Sequence, residues 1–349
     1  MSEKIKIGLI GAGDIGSVHA EAWAKLGDVT LCLAAGRNRE RAKTICSEVG
    51  ATLYESVDAM LGDPAIQGVD ICVPNPLHRE FSERAYAAGK HVMCEKPIAL
   101  TLEDADAMMT AADRAKKILF IAHVLRFWPD YARAREWAAE EGLGNMVLIT
   151  ARRFVSVLEA TPGTDRWRHD PAMSGGAVID LQIHDIDWFN WVLGDPVRVD
   201  SRGVQSPDGA ISHVWTSVEY ACGARAFVEG SFMFKGNPMV MDFRMLSKEA
   251  SVEFTYAPTD FALGDMEGKE GDASGGTLNL YRWGEEPVAL YTPPEDPFPA
   301  AMQAQVAHFA DCIREGADGL AVRPEEARRA LEVCIASERS CNEGRPIEM

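Results

Sequence analysis

Lys4-Ile5-Lys6-Ile7-Gly8-Leu9-Ile10-Gly11-Ala12-Gly13-Asp14-Ile15-Gly16 is the stretch that decides the fold. Its apolar first half, Lys4–Ile10, reads as a strand, and the residues after it, Asp14–Leu26, read as a helix. Between them Gly11 to Gly16 fits G-x-G-x-x-G. That string alone is weak; a strand directly before it and a helix directly after are the context in which it cradles a dinucleotide. Gly11 permits the tight turn, Gly13 lets backbone approach a pyrophosphate, and Gly16 lets helix pack on strand. The first helical turn, Asp14 and Ile15 included, then meets the phosphate with its N–H groups.

Outward from that turn, strands and helices alternate. Val29–Ala35, Ala51–Tyr54, Val69–Val73, His91–Cys94 and Ile118–Ala122 read as strands. Helices are predicted over Asn38–Val49, capped by Asn38, at Val57–Leu61, over Leu77–Ala88, and over Thr101–Lys116, capped by Thr101. Alternation at this pitch gives a doubly wound parallel sheet covered by helices on both faces, a Rossmann arrangement assigned to residues 1–123. From residue 124 the pattern changes. A helix at Pro129–Glu141 is followed by alternating runs at Met146–Val157, Val197–Gln205, Ile211–Tyr220, Arg225–Phe234, Val240–Leu246 and Ser251–Phe254. One helix, Ala177–Leu193, interrupts them, two close the chain at Ala300–Arg314 and Pro324–Glu343, and Ala257–Gly276 reads as a surface loop. Residues 124–349 thus read as an α+β domain with a large, open, mostly antiparallel sheet.

In a doubly wound sheet, ligands sit at the C-terminal ends of the strands. After the second strand, the place where an NAD site usually carries a carboxylate falls on Gly36, with Arg37 next. A missing carboxylate beside a guanidinium suits a 2′-phosphate, which tips the choice slightly from NAD to NADP. Pro74-Asn75-Pro76-Leu77-His78 follows the next long strand and borders the cofactor, with His78 as a loop or helix-start residue. Glu95-Lys96-Pro97 follows another. Lys96 there points toward the nicotinamide, where its ammonium either hydrogen-bonds the reacting oxygen or loses its proton and acts as base. The plainer alternative is a surface lysine whose stem covers apolar area.

The second constellation is Gly175-Gly176-Ala177-Val178-Ile179-Asp180-Leu181-Gln182-Ile183-His184-Asp185-Ile186-Asp187-Trp188. As a continuous helix it aligns Asp180, His184, Asp187 and Trp191 on one face of an otherwise apolar element. Such a stripe is costly unless it meets a wet cleft or ligand. His184 can move a proton near neutral pH, and Asp180 can orient substrate hydroxyls. A core histidine partnered by Asp187 is the structural alternative, and zinc ligation ranks last, so no metal is expected. Trp167-Arg168-His169-Asp170, on a loop, suits a polyhydroxylated ring as well as plain packing, and His123 and Arg126 at the domain junction are candidate substrate contacts.

The bulk numbers narrow the partners. A net charge of −18 disfavours nucleic acid and anionic lipid. No run of about 18 apolar residues exists to span a membrane, and the N-terminus does not read as a signal peptide. The eight cysteines show no C-x-x-C spacing and read as reduced thiols of a cytoplasmic protein. Cys94 as a catalyst ranks below Cys94 as core packing.

Gly11–Gly16, Glu95-Lys96-Pro97 and Asp180-x-x-x-His184, in this order, resemble the glucose-fructose oxidoreductase / inositol dehydrogenase / rhizopine catabolism (Gfo/Idh/MocA) family. The likeness runs nearly the whole chain, to Gly344-Arg345-Pro346. It implies an N-terminal Rossmann domain, a C-terminal domain with an open sheet, and a homodimer or homotetramer built through that sheet. It implies hydride transfer between NAD(P) and a secondary hydroxyl or carbonyl of a sugar, inositol or glycoside. It also implies that Lys96, Asp180 and His184 match the family's catalytic lysine, aspartate and histidine. Gly36-Arg37 departs from the strict NAD preference of inositol dehydrogenases. Competing readings are a redox-neutral sugar enzyme that retains its cofactor, a non-catalytic NAD(P)-binding sensor, reduction of a non-sugar carbonyl or dihydrodiol, and, as an outsider, a hydrolytic metalloenzyme.

Overall fold

The structure is a computed structural model that describes residues 4–34, 36–142, 145–155, 170–207, 209–234, 239–256, 276–292, 294 and 296–349. The chain divides into two compact units. One comprises Met1–Phe127 and Phe298–Arg328, the other Trp128–Pro297 and Arg329–Met349.

The first unit runs β1 (Ile5–Ile10), α1 (Asp14–Ala24), β2 (Val29–Ala34), α2 (Arg39–Val49), β3 (Thr52–Tyr54), α3 (Val57–Leu61), β4 (Gly68–Ile71), α4 (His78–Ala87), β5 (His91–Glu95), α5 (Leu102–Ala115) and β6 (Leu119–Ala122). The six strands form one parallel sheet in the order β3-β2-β1-β4-β5-β6. Apart from the edge strand β3, their near-continuous burial is what a sheet covered on both faces demands. The predicted caps are in place. Asn38 accepts from the Arg41 N–H at 3.0 Å, and Thr101 from the Asp104 N–H at 3.1 Å. Residues 298–328 return to this unit, and Phe309 packs against Trp23 and Phe120.

The second unit begins with α6 (Pro129–Glu141) and β7 (Met146–Val155), then α7 (Pro171–Ser174), a π-helical turn (Ala177–Leu181) and α8 (Ile183–Leu193). Strands β8 (Pro196–Gln205), β9 (Ile211–Tyr220), β10 (Arg225–Ser231), β11 (Met239–Ser247), β12 (Ala250–Tyr256), β13 (Thr277–Arg282) and β14 (Val288–Ala289) follow. The helices α9 (Pro297–Glu315) and α10 (Pro324–Glu343) and the short β15 (Ile347–Glu348) close the chain. The sheet order is β14-β13-β12-β11-β7-β10-β9-β8-β15, antiparallel throughout except where β7 and β10 run parallel. On its inner face Tyr131, Trp188, Phe243 and Phe254 interlock with ring centroids 4.6–5.6 Å apart. Trp215 and Phe227 stand half exposed on strands β9 and β10.

The structure differs from the sequence reading in these places. Strands β13, β14 and β15 were not among the predicted runs, although Thr277-Leu278-Asn279-Leu280 does alternate. The strand predicted to Phe234 ends at Ser231. The helix predicted over Ala177–Leu193 is two segments, because the stretch through Leu181 is π-helical and α8 starts only at Ile183. The loop predicted over Ala257–Gly276 lies, apart from Gly276, outside the described residues.

Candidate active site

The glycine turn behaves as three different positions. Gly11 adopts φ +117°, and a Cβ there would sit 2.1 Å from the Cys72 carbonyl oxygen. A Cβ on Gly16 would sit 2.2 Å from the Gly11 carbonyl oxygen, so Gly16 brings α1 down onto the turn. A Cβ on Gly13 would meet nothing within 4 Å. The chain itself therefore needs glycine at positions 11 and 16 but not at 13. Gly13 is also the N-cap of α1 and offers no side-chain cap, which leaves the positive end of the helix to a ligand. Space that only a Cβ at Gly13 would fill, in front of a helix N-terminus, fits a dinucleotide pyrophosphate.

Asp14 and Ile15 form the first turn of α1. The Asp14 carboxylate pairs with the Arg41 guanidinium at 2.5 Å. Arg41 was not singled out from the sequence; its signal is the basic run Arg37-Asn38-Arg39-Glu40-Arg41 just after β2. Gly36 and Arg37 are exposed, and a Cβ on Gly36 would meet nothing within 4 Å. Arg37 directly follows Gly36, and Arg41 is tied to the first turn of α1 through Asp14.

Pro74 precedes a short 3₁₀ turn, Asn75–Leu77, in which Asn75 is buried. His78 opens α4 and is fully buried, with its ring 2.8 Å from the Pro97 carbonyl and 3.0 Å from the Val73 carbonyl. Burial pushes its pKa down by more than those two carbonyls raise it, and the ring ties the loop after β4 to the loop after β5. Glu95 is buried at the end of β5, and one of its oxygens accepts the Lys96 backbone N–H at 3.1 Å. Lys96 is half-buried and is joined to Pro97 by a cis peptide. Cys94 is fully buried with its thiol pKa pushed well up by desolvation, which fits packing and not nucleophilic chemistry.

His123 directly follows β6 and is buried. Arg126 is buried too, with Nη1 donating to the Ala321 carbonyl and to Glu326, both at 2.8 Å, so part of its hydrogen-bonding capacity is spent inside the first unit. Trp167 and Arg168 lie outside the described residues. Asp170 caps α7, accepting from the Ala172 N–H at 2.9 Å.

In the second unit the π-helical turn carries Asp180, which is buried, and the first turn of α8 carries His184, which is partly exposed. The stretch is not the one continuous α-helix that the sequence predicts. The wider π turn breaks the 3.6-residue register between Asp180 and His184. Asp187 is fully buried, as is Asp185, which pairs with Arg153 of β7 at 2.7 Å. Gln182, between the two candidates, is the residue the sequence reading passed over. Its amide donates to the Val214 and Val228 carbonyls at 3.0 and 3.1 Å and accepts from Thr216 at 2.8 Å. A polar side chain inside so apolar a run was the available signal. The amide fastens the segment carrying Asp180 and His184 to β9 and β10.

Among the described residues, one group has the composition of a metal site: His19, Asp70 and Cys72, all buried. One Asp70 oxygen already accepts from the Trp23 indole at 2.7 Å and bonds His19 at 2.8 Å. The group reads as a hydrogen-bonded cluster.

Comparison with known families fixes the relationship. Residues 5–123 match the oxidoreductase family with an NAD-binding Rossmann fold, and residues 131–252 match the GFO/IDH/MocA C-terminal domain. The chain belongs to the Gfo/Idh/MocA family. It is 33% identical over 239 residues to 1,5-anhydro-D-fructose reductase of Ensifer adhaerens, covering 65% of this chain and 69% of the relative. It is 30% identical over 258 residues to D-xylose 1-dehydrogenase (NADP(+)) 2 of Haloferax volcanii, covering 72% and 77%. An inositol 2-dehydrogenase of Rhizobium meliloti is 31% identical, with 65% and 68% covered. In fold, the chain matches an aldose-aldose oxidoreductase from Caulobacter crescentus with a TM-score of 0.82 at 24% identity, over 99% of this chain and 100% of that one. This Gfo/Idh/MocA chain is an oxidoreductase whose first unit is the family's NAD-binding Rossmann fold. None of its described helices is long and apolar enough to cross a membrane.

Proposed function

We propose that this oxidoreductase moves a hydride between NADP, in preference to NAD, and a secondary hydroxyl or carbonyl carbon of a sugar, inositol or glycoside. Lys96, Asp180 and His184 are the groups that handle the proton and orient the substrate. The observation that carries the reading lies in the first unit. Lys96 leaves the C-terminal end of β5, on the same edge of the parallel sheet as the Gly11–Gly16 turn after β1, with its backbone gripped by Glu95. The relatives that act on an anhydro-fructose, a xylose and an inositol support the substrate class.

The dinucleotide, when bound, supplies the hydride acceptor or donor. Everything else falls to side chains. In the oxidative direction the His184 imidazole takes the hydroxyl proton, the Lys96 Nζ hydrogen-bonds the oxygen as charge develops on it, and Asp180 accepts from a neighbouring hydroxyl. Arg37 and Arg41, with no carboxylate at Gly36, support a 2′-phosphate over a free 2′-hydroxyl. The half-exposed Trp215 and Phe227 support assembly through the open sheet into a homodimer or homotetramer, which light scattering would measure directly.

The test is nicotinamide absorbance followed with both cofactors against a panel of sugars, inositols and glycosides. Turnover is expected, and Lys96→Ala and His184→Ala are each expected to reduce kcat about 10²–10⁴-fold. Gly36→Asp is expected to swing the NADP/NAD ratio of kcat/KM at least about tenfold toward NAD. Tight cofactor binding with no turnover on any substrate would favour a sensor. Cofactor that copurifies and exchanges hydride only between two sugars would favour the redox-neutral reading.

A further inference from the structure

The reading above leaves unused a buried charged cluster of the first unit. His19 follows the glycine turn on α1 and its ring has no exposed surface. Nδ1 lies 2.8 Å from one Asp70 oxygen on β4, and Nε2 lies 3.1 Å from one Glu95 oxygen at the end of β5. Trp23, one turn further along the same face of α1, donates its indole N–H to the same Asp70 oxygen at 2.7 Å. The Cys72 thiol faces the other Asp70 oxygen at 3.5 Å. The second Glu95 oxygen accepts the Lys96 backbone N–H at 3.1 Å. A continuous path thus runs from α1 through His19 and Glu95 to the backbone of Lys96.

Ionised carboxylates only accept, so a ring lodged between two of them donates from both nitrogens as an imidazolium. Burial opposes that charge, but the Asp70 carboxylate beside it prevails, and the pKa of His19 is raised well above the usual value. The groups facing the ring are Asp70 and Cys72 from β4 and the residue just after it, Glu95 from β5, and Trp23 from its own helix.

We propose that His19 is a positioning residue: a cation clamped between Asp70 and Glu95 that fixes the Glu95 carboxylate and, through it, the backbone from which the Lys96 ammonium projects. The proposal rests on Lys96 being the reacting ammonium of the function set out above. It assigns His19 no contact with substrate. Without the cation, two carboxylates face each other in a dry space with one proton-bearing partner fewer, and Glu95 loses the bond that sets its second oxygen against Lys96. The clamp also ties the phosphate-facing helix α1 to the Lys96 turn, so that both ends of a bound dinucleotide meet one braced framework.

The test uses the full chain and three readouts. In protein labelled with ¹⁵N at histidine, the His19 ring, assigned by its loss in His19→Gln, is expected to show two protonated nitrogens well above the ordinary imidazole range of about 6.5. A neutral tautomer there overturns the proposal, and this readout needs no variant that folds and no substrate. Second, hydrogen exchange at the Lys96 amide is expected to speed up roughly tenfold in His19→Gln, and likewise in Glu95→Gln, while amides of the second unit keep their protection. Unchanged exchange at Lys96 overturns the proposal, and a general loss of protection assigns His19 to plain folding and overturns it as well. Third, His19→Gln is expected to lower kcat about tenfold with the cofactor KM within about twofold, and to cost nothing further in a Lys96→Ala background. Losses that simply multiply overturn the coupling. A Lys96→Ala enzyme that turns over normally instead sinks the catalytic assignment, and the first two readouts still judge the clamp.

Discussion

Replacing Gly13 and Gly16 separately by alanine divides what the fold needs from what the ligand needs. Gly16 is the case the chain decides. Its added Cβ would lie 2.2 Å from the Gly11 carbonyl oxygen and 3.0 Å from the carbonyl carbon, both backbone atoms that cannot swing aside. Overpacking of this kind costs about 1–3 kcal/mol. At about 2–4 °C per kcal/mol for a unit of this size, the apo protein should lose several degrees in Tm. Gly13 is the opposite case. Its φ of −83° and ψ of −171° suit alanine, and the new Cβ meets no protein atom within 4 Å. A poorer N-cap costs about 0.5–1 kcal/mol, and the smaller entropy of the unfolded chain returns about 0.4–1 kcal/mol. Apo Tm should therefore stay within about 2 °C of wild type. If the pyrophosphate sits at this turn as proposed, the methyl group faces it, and affinity for NADP should fall about 10–100-fold, or about 1.4–2.8 kcal/mol. Scanning fluorimetry without cofactor and titration of nicotinamide fluorescence measure the two quantities. Gly13→Ala protein that binds NADP as wild type does would refute the placement of the pyrophosphate at this turn. Gly13→Ala protein that melts as early as Gly16→Ala would refute the claim that only a ligand needs the missing side chain.

Two further outcomes concern the second unit. Arg153 and Asp185 form a buried bidentate pair at 2.7 and 3.0 Å, with the Tyr131 hydroxyl at 3.3 Å. Asp185→Asn should cost about 3–5 kcal/mol in urea unfolding by stranding the guanidinium, and Arg153→Met with Asp185→Leu should recover most of it; a double variant no better than the single one would refute this. Burial pushes the Asp130 carboxyl up to about 6, against the Trp128 indole N–H that donates to it at 3.1 Å and the nearby Tyr291 hydroxyl. The folded state then holds its proton to higher pH than the unfolded chain, so its contribution is full below about 3.9 and lost as pH rises through about 6. Asp130→Asn should be more stable than wild type at pH about 8, by at most about 2–3 kcal/mol, and the gap should close on acidification; a difference in Tm that does not vary with pH would refute it.

What could be read from the sequence is what depends on neighbours along the chain. The glycine turn after β1, the caps at Asn38 and Thr101 and the placing of Lys96 at a strand end all follow from local pattern. The His19 clamp does not, because its partners stand 51 and 76 residues away and meet only through the sheet order β1-β4-β5. The helix carrying Asp180 and His184 shows the limit most sharply. Periodicity groups Asp180, His184 and Asp187 on one face and leaves Asp185 aside. That grouping assumes that each carboxylate on an apolar helix must look toward water or a ligand. A cation on another element removes the need: Arg153 on β7 lets Asp185 go fully dry. The register itself also yields to tertiary bonds, since carbonyls on β9 and β10 hold the Gln182 amide where the π turn gives way to α8. A polar stripe on an apolar helix therefore identifies which residues carry a cost, while only the strands packed against it decide whether a ligand or a buried partner meets that cost.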